Sequence, residues 1–249
     1  MMITSTLAFI VFFGFIGLAV GSFLNVVIIR IPKGESISFP ASHCVKCKHP
    51  LKWYHNIPIL SWLFLRGKCA FCKEKISIQY PIIEALTTFI FITTAMQSDS
   101  VADALIISTL FTMLLALSVI DLKYKAVPDS ISIPALFISL FVDDFLISLN
   151  DALLLAGGFS LLRILVSWII KKEAMGEADI IIAGIIGATL GVELGLAAIY
   201  ISALIALPVF MIVKKKGYEL PFIPFLALGL YITWAFKPEV MSILRMIYG

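Results

Sequence analysis

Two aspartates and four cysteines carry most of the chemistry that this sequence offers. Asp179 stands in "KKEAMGEADIIIAGIIG" (Lys171–Gly187), where a charged stretch gives way to an apolar one. A carboxylate at the mouth of an apolar segment is costly unless water or a task accounts for it. Asp121 closes another apolar run, in "SVIDLKYKAVPD". Two carboxylates about 3 Å apart do not both ionise easily, so they share a proton, and one can act as general base on a water while the other polarises a peptide carbonyl. Such a pair titrates as a unit, and the sequence does not say which member holds the proton. The plainer alternative is a pair of solvated charges at helix ends, with Asp179 favouring a helix start through the dipole. Asp129 lies beyond Pro128 and reads as the cap of the following helix.

The cysteines form "CVKC" (Cys44, Cys47) and "CAFC" (Cys69, Cys72), separated by 21 residues. Each CxxC makes a tight knuckle, and two knuckles at this spacing fit a tetrahedral four-thiolate Zn²⁺ site. With all four ligand positions filled by protein, the metal is structural. Two disulfides or a redox motif are the alternative. His43, His49 and His55 lie nearby, but four cysteines make them unnecessary as ligands.

The elements that must position these groups are transmembrane. Of 249 residues, 61% are hydrophobic and 14% charged, with a net charge of +3 and a mean hydropathy of +1.05. A soluble domain of this length needs more polar surface, so the chain reads as an all-α polytopic membrane helix bundle. Measured against the roughly 20 residues that cross a ~30 Å hydrocarbon core, eight runs qualify: Leu7–Ile29, Ile76–Met96, Ala104–Ile120, Ser130–Val142, Ala152–Ile170, Ile180–Val192, Leu194–Val213 and Leu220–Phe236. The fourth and sixth are short, and Val240–Tyr248 reads as an interfacial tail. Leu7–Ile29 has no basic residue before it and no small-residue cleavage pattern, so it is kept as a span rather than a signal peptide.

Basic residues orient the bundle. Arg30–Lys75 holds nine of the nineteen, whereas the connections Gln97–Asp103 and Asp143–Asp151 hold none. Lys123 and Lys125, Lys171 and Lys172, and Lys214 to Lys216 follow spans three, five and seven. The alternation predicts that the cysteine loop, Asp121 and Asp179 all face the cytoplasm, where thiols are kept reduced and structural disulfides are disfavoured. The division is 1–30, the first span; 31–75, a cytoplasmic zinc-binding loop; and 76–249, the bundle that holds the aspartates. The loop's basic charge suits contact with anionic membrane lipids, and a loop tethered at both ends argues against nucleic acid.

With these elements assembled, the chain resembles the type IV prepilin peptidases, bifunctional leader peptidases and N-methyltransferases of pilus and type II secretion systems. The resemblance rests on "GSFLNVVIIRIP" (Gly21–Pro32), "HNIPILSWLFLRGKCAFCKEKISIQYPIIEAL" (His55–Leu86), "VIDLKYKAVPDSISIP" (Val119–Pro134) and "PFIPFLALG" (Pro221–Gly229). It implies an aspartic membrane protease of the type named for a GxGD motif, located in the bacterial inner membrane. Carried over by position, its catalytic aspartates fall on Asp121 and on Asp179 within "GEAD". Ala178 stands where the pattern has glycine, which puts in doubt any need for a left-handed backbone there. Gly176 and the small residues Ala183, Gly184, Gly187 and Ala188 remain and permit close helix packing.

The implied substrate is a prepilin or pseudopilin, cut where its basic leader meets its hydrophobic helix. Glu173 and Glu177 could attract that leader. The implied second reaction is methyl transfer from S-adenosylmethionine, with no residues assigned to the donor. Glu84 is a further intramembrane carboxylate. A transporter would also carry such carboxylates, usually with internal repeats. A membrane thiol oxidoreductase would use the CxxC pairs facing outward, and a zinc-anchored scaffold would tolerate Asp121→Asn.

Overall fold

The computed structural model describes residues 2–172, 176–213 and 220–248. Glu173 and the lysines Lys214, Lys215 and Lys216, which entered the sequence reading, lie outside these. The described residues are helical, joined by turns and two isolated bridges. Two compact units divide the chain, residues 1–108 and 109–249.

In the first unit, α1 (Met2–Arg30) packs along α3 (Gln79–Gln97), with the cysteine loop and the short α2 (Leu60–Phe64) between them in sequence. Association within a membrane depends on close packing, since lipid is as apolar as leucine. Gly17 and Gly21 supply it. A Cβ on Gly17 would come within 2.8 Å of the Thr88 Cα, and one on Gly21 within 2.8 Å of the Glu84 Cα. Gly21→Ala is therefore expected to push the helices apart and cost about 1–3 kcal/mol, read as a lower thermal midpoint in detergent. Beyond the glycines, Phe13, Phe91, Ala95 and Ala104 form a buried cluster. At the other end, buried Asn25 donates to the carbonyls of Gly21 and Tyr80, both at 3.2 Å, and its Oδ1 accepts from Gln79.

The helix α4 (Val101–Tyr124) starts in the first unit and ends in the second. Ser100 and Asp103 open it reciprocally: the Asp103 N–H donates to the Ser100 hydroxyl, which donates to the Asp103 carboxylate. Ser100 thus caps the helix through its hydroxyl, which the Asp103 acid holds in place.

The second unit continues with α5 (Asp129–Ser139), α6 (Phe145–Ile170), α7 (Glu177–Val213), α8 (Ile223–Ala235) and α9 (Lys237–Tyr248), and α7 packs on α5, α6, α8 and α9. The small residues of α7 behave as expected. Ala183, Gly184, Gly187 and Ala188 are all buried, and a Cβ on Gly187 would overlap the Asp151 carbonyl of α6.

One 37-residue helix cannot describe α7. Gly191 breaks it at φ 78°, ψ 173°, a conformation natural only to glycine. A Cβ on Gly195 would lie 3.3 Å from Ile186 Cγ2, although nine residues of straight helix span about 13 Å. The chain therefore folds back near Gly191 into two arms, 177–190 and 192–213, close to the division read from the sequence.

Two boundaries differ from expectation. The fifth span was placed from Ala152, but α6 begins at Phe145, because the Asp144 carboxylate caps it by accepting from the Leu146 and Ile147 N–H groups at 3.0 and 3.3 Å. Asp129 was read as the cap of span four. The cap position is instead Pro128, which offers no side-chain oxygen, and Asp129 sits in the first turn of α5, where the dipole favours an acid.

Among the described residues, four helical stretches are long and apolar enough to cross a membrane: Leu7–Lys33, Val101–Tyr124, Phe145–Ile170 and Glu177–Val213. Eight spans were expected; the other four fall on α3, α5, α8 and the second arm of α7. The helices α5 and α8, of 11 and 13 residues, are shorter apolar elements.

Candidate active site and metal centre

Asp121 lies in the last turn of α4, 8% exposed. The helix ends at Tyr124, and the next residue, Lys125, takes φ 50° and donates its N–H to the Asp121 carbonyl at 2.9 Å. Around the Asp121 carboxylate are the backbone N–H of Ile223, at the N-terminus of α8, and the charge of Lys125. Its Oδ2 is buried with no hydrogen-bond partner. A buried, unsatisfied carboxylate oxygen is expensive, and such atoms call for a water or a ligand to complete them.

Asp179 lies in the first turn of α7, half-buried. Its Oδ2 accepts the Gly176 N–H at 3.1 Å, while its own N–H donates to the Gly176 carbonyl at 3.3 Å. That reciprocal pair fixes the start of the helix, as the dipole alternative anticipates. The same carboxylate is also near enough for its charge to act on Asp121. Two acids more than fifty positions apart in the chain thus lie within a single unit.

Ala178 sits inside the first helical turn and is not among the residues with positive φ. No left-handed backbone is used there. Ala178→Gly is expected to leave peptide cleavage within a few-fold of the parent and to cost about 1 kcal/mol of helix stability. Paired cleavage and thermal-unfolding measurements check this.

Other acids take separate places. Glu177 is exposed and pairs with Arg163 of α6 at 3.4 Å. Glu84, in the first unit, is buried and accepts the Ile59 N–H at 2.6 Å, tying the loop before α2 to α3. Sequence reasoning missed the Ile223 N–H. The only available signal was the proline pair in "PFIPF", which marks a helix start without saying what that start faces.

In the first unit, the Sγ atoms of Cys44, Cys47, Cys69 and Cys72 all lie within 4.8 Å of one another, with Cys44 and Cys72 3.8 Å apart. Tetrahedral Zn–S bonds of about 2.3 Å require sulfur separations of about 3.8 Å, so the cluster fits zinc. The knuckles are built alike. Lys48 donates to the Cys44 carbonyl and Lys73 to the Cys69 carbonyl, and these lysines take φ 56° and 60°. Lys46 and Glu74 join one knuckle to the other at 2.8 Å. Backbone N–H groups of Cys72 and Phe71 pull the Cys69 thiol down to about 7, whereas desolvation and hydrogen bonds from the other three cysteines push Cys72 up, so a metal must supply the charge that makes all four thiolates. A single four-sulfur cluster suits one metal ion better than two independent redox pairs. The histidines stay outside it: His43 bonds the Ala41 carbonyl and His49 packs on Phe71.

Comparison with known proteins separates the same two regions. Residues 15–98 match the Bacterial Peptidase A24 N-terminal domain, and residues 108–211 match the Type IV leader peptidase family. A prepilin leader peptidase/N-methyltransferase of Pseudomonas putida is 32% identical over 91% of this chain and 90% of its own length. The chain belongs to this leader peptidase family. A Neisseria gonorrhoeae member is 34% identical over 90% of both chains. A Myxococcus xanthus member is 39% identical over 73% of this chain, which spans 56% of that relative. No solved structure matches the chain. The leader peptidase family match covers α4 to α7, the stretch that contains both aspartates.

Proposed function

We propose that this chain cleaves the basic leader from prepilins or pseudopilins with Asp121 and Asp179, then methylates the new N-terminus. The observation that carries the reading is the buried, unpartnered Oδ2 of Asp121 in the field of Asp179. It supports a water held between the two acids.

In this reading the ionised aspartate takes a proton from the water as its oxygen attacks the scissile carbonyl. The protonated aspartate donates to the carbonyl oxygen, giving a neutral gem-diol. The first acid, now protonated, gives its proton to the leaving nitrogen as the C–N bond breaks, and the second recovers its own from the gem-diol. The Ile223 N–H holds the Asp121 carboxylate, and the Gly176 N–H holds that of Asp179, so neither must reorganise during attack. In the methyl step the freed amine attacks the sulfonium methyl of S-adenosylmethionine, a co-substrate; the S–CH3 bond breaks, S-adenosylhomocysteine leaves with the electron pair on sulfur, and the methylated amine releases one proton.

The basic residues of Arg30–Lys75 support an inner-membrane protein of eight spans, with the site on the cytoplasmic side. There the leader of a prepilin meets its hydrophobic helix. Residues 76–249 would form the peptidase bundle. In the 31–75 loop, zinc on the four thiolates would be fully coordinated, stabilising the loop and taking no part in bond cleavage.

The test is a single reaction of purified protein, a prepilin and methyl-labelled donor. Leader release followed by label on the shortened pilin is expected. Failure to release leader from any prepilin of the source cell overturns the proposal.

A further inference from the structure

Arg30, at the end of α1, is 9% exposed. Its guanidinium donates to the carbonyls of Ser36 at 2.9 Å and Pro40 at 2.8 Å. Among the described residues no carboxylate pairs with it. Two of its five N–H donors are thus satisfied, both by neutral carbonyl oxygens. A nearly buried cation without a counter-charge is costly, and an anion brought to it is held more strongly than in water.

There is room for one. Arg30 lines a cavity of ≈330 Å³ between the end of α1 and the start of the cysteine loop, inside the range of about 300–1,000 Å³ typical of small-ligand sites. Its walls are of two kinds. Most of the lining is apolar, from Phe23 and Val26 of α1 and from four residues of the loop, while Ser38, Ser42 and Asn56 of the loop are polar. That combination suits a ligand with one anionic group and an apolar or aromatic part.

We propose that this cavity binds the carboxylate or phosphate of such a ligand through Arg30. A carboxylate or phosphate would engage the remaining guanidinium donors as charge-assisted hydrogen bonds, which are short and strong. Two sources offer this chemistry: the carboxylate of the methyl donor, which rests on the methyl-transfer reading above, and the phosphate of an anionic lipid, which does not.

The experiment measures S-adenosylhomocysteine binding by calorimetry in zwitterionic detergent. In parallel it compares thermal midpoints in nanodiscs of phosphatidylcholine with and without phosphatidylglycerol. Each arm uses the parent, Arg30→Gln and Ser42→Leu, which narrows the cavity while keeping the arginine. Zinc content reports that each variant has folded. If the donor carboxylate is the ligand, both variants bind S-adenosylhomocysteine about tenfold more weakly or worse. If lipid is the ligand, the midpoint gain from phosphatidylglycerol disappears in both variants. The proposal is overturned if zinc-loaded Ser42→Leu keeps parental responses in both arms. S-adenosylhomocysteine binding that persists in both variants would leave methyl transfer standing and remove the donor from this cavity.

Discussion

Asparagine at either Asp121 or Asp179 is expected to lower prepilin cleavage by about 10⁴-fold or more, the scale seen when one member of a concerted catalytic group is lost. The reason differs between the two. At Asp121, the substitution turns a buried oxygen without a partner into part of an amide that cannot accept a proton from water at neutral pH. At Asp179, it also replaces the acceptor of the Gly176 N–H, although an asparagine Oδ1 can still accept that bond. The helix start should therefore survive while the chemistry does not. Single-turnover cleavage in detergent, with thermal unfolding as control, separates these effects. Near-parental cleavage by Asp121→Asn would remove Asp121 from the chemistry.

Removing the metal is expected to have the next largest effect, and it should fall on the other unit. Structural zinc sites contribute roughly 10 kcal/mol or more to folding of the segments they close. The two knuckles have little else to hold them: three of the four cysteines are partly or fully exposed, and the Lys46–Glu74 pair between them is solvent-facing. Chelation, or Cys69→Ser, should release the 31–75 loop to protease while the α1–α3 pair, packed through Gly17 and Gly21, stays intact. Elemental analysis should find about one zinc per chain in the parent and little in Cys69→Ser. A zinc-free protein whose loop resists protease as well as the parent would contradict the assignment.

These two candidate sites stood out in the sequence for different reasons. The cysteine spacing specifies a knuckle almost by itself, because only a tight turn can bring both sulfurs of CxxC to one point. The aspartates were legible because each interrupts an apolar run at its edge, where a charge is conspicuous. What surrounds them was not. The Ile223 N–H reaches Asp121 from a distant helix, and no local pattern encodes that approach. Arg30 and Asn25 were read as the end of a span and part of a motif, since a polar residue near a helix end says nothing about what it will be buried against. Periodicity misplaced the start of α6 because Asn150 and Asp151 look like a loop, while the cap that begins the helix is Asp144. The fold-back of α7 was anticipated by the break around Glu193, but the residue that makes it is Gly191, whose φ of 78° no side-chain pattern announces.

An experimental structure of the protein bound to an uncleavable prepilin peptide tests the central claim most directly. One carboxylate oxygen from Asp121 and one from Asp179 should each lie within hydrogen-bonding distance, about 3 Å, of the same water or of the scissile carbonyl. Carboxylates too far apart to share a single solvent molecule, or a scissile bond held away from both, would contradict it.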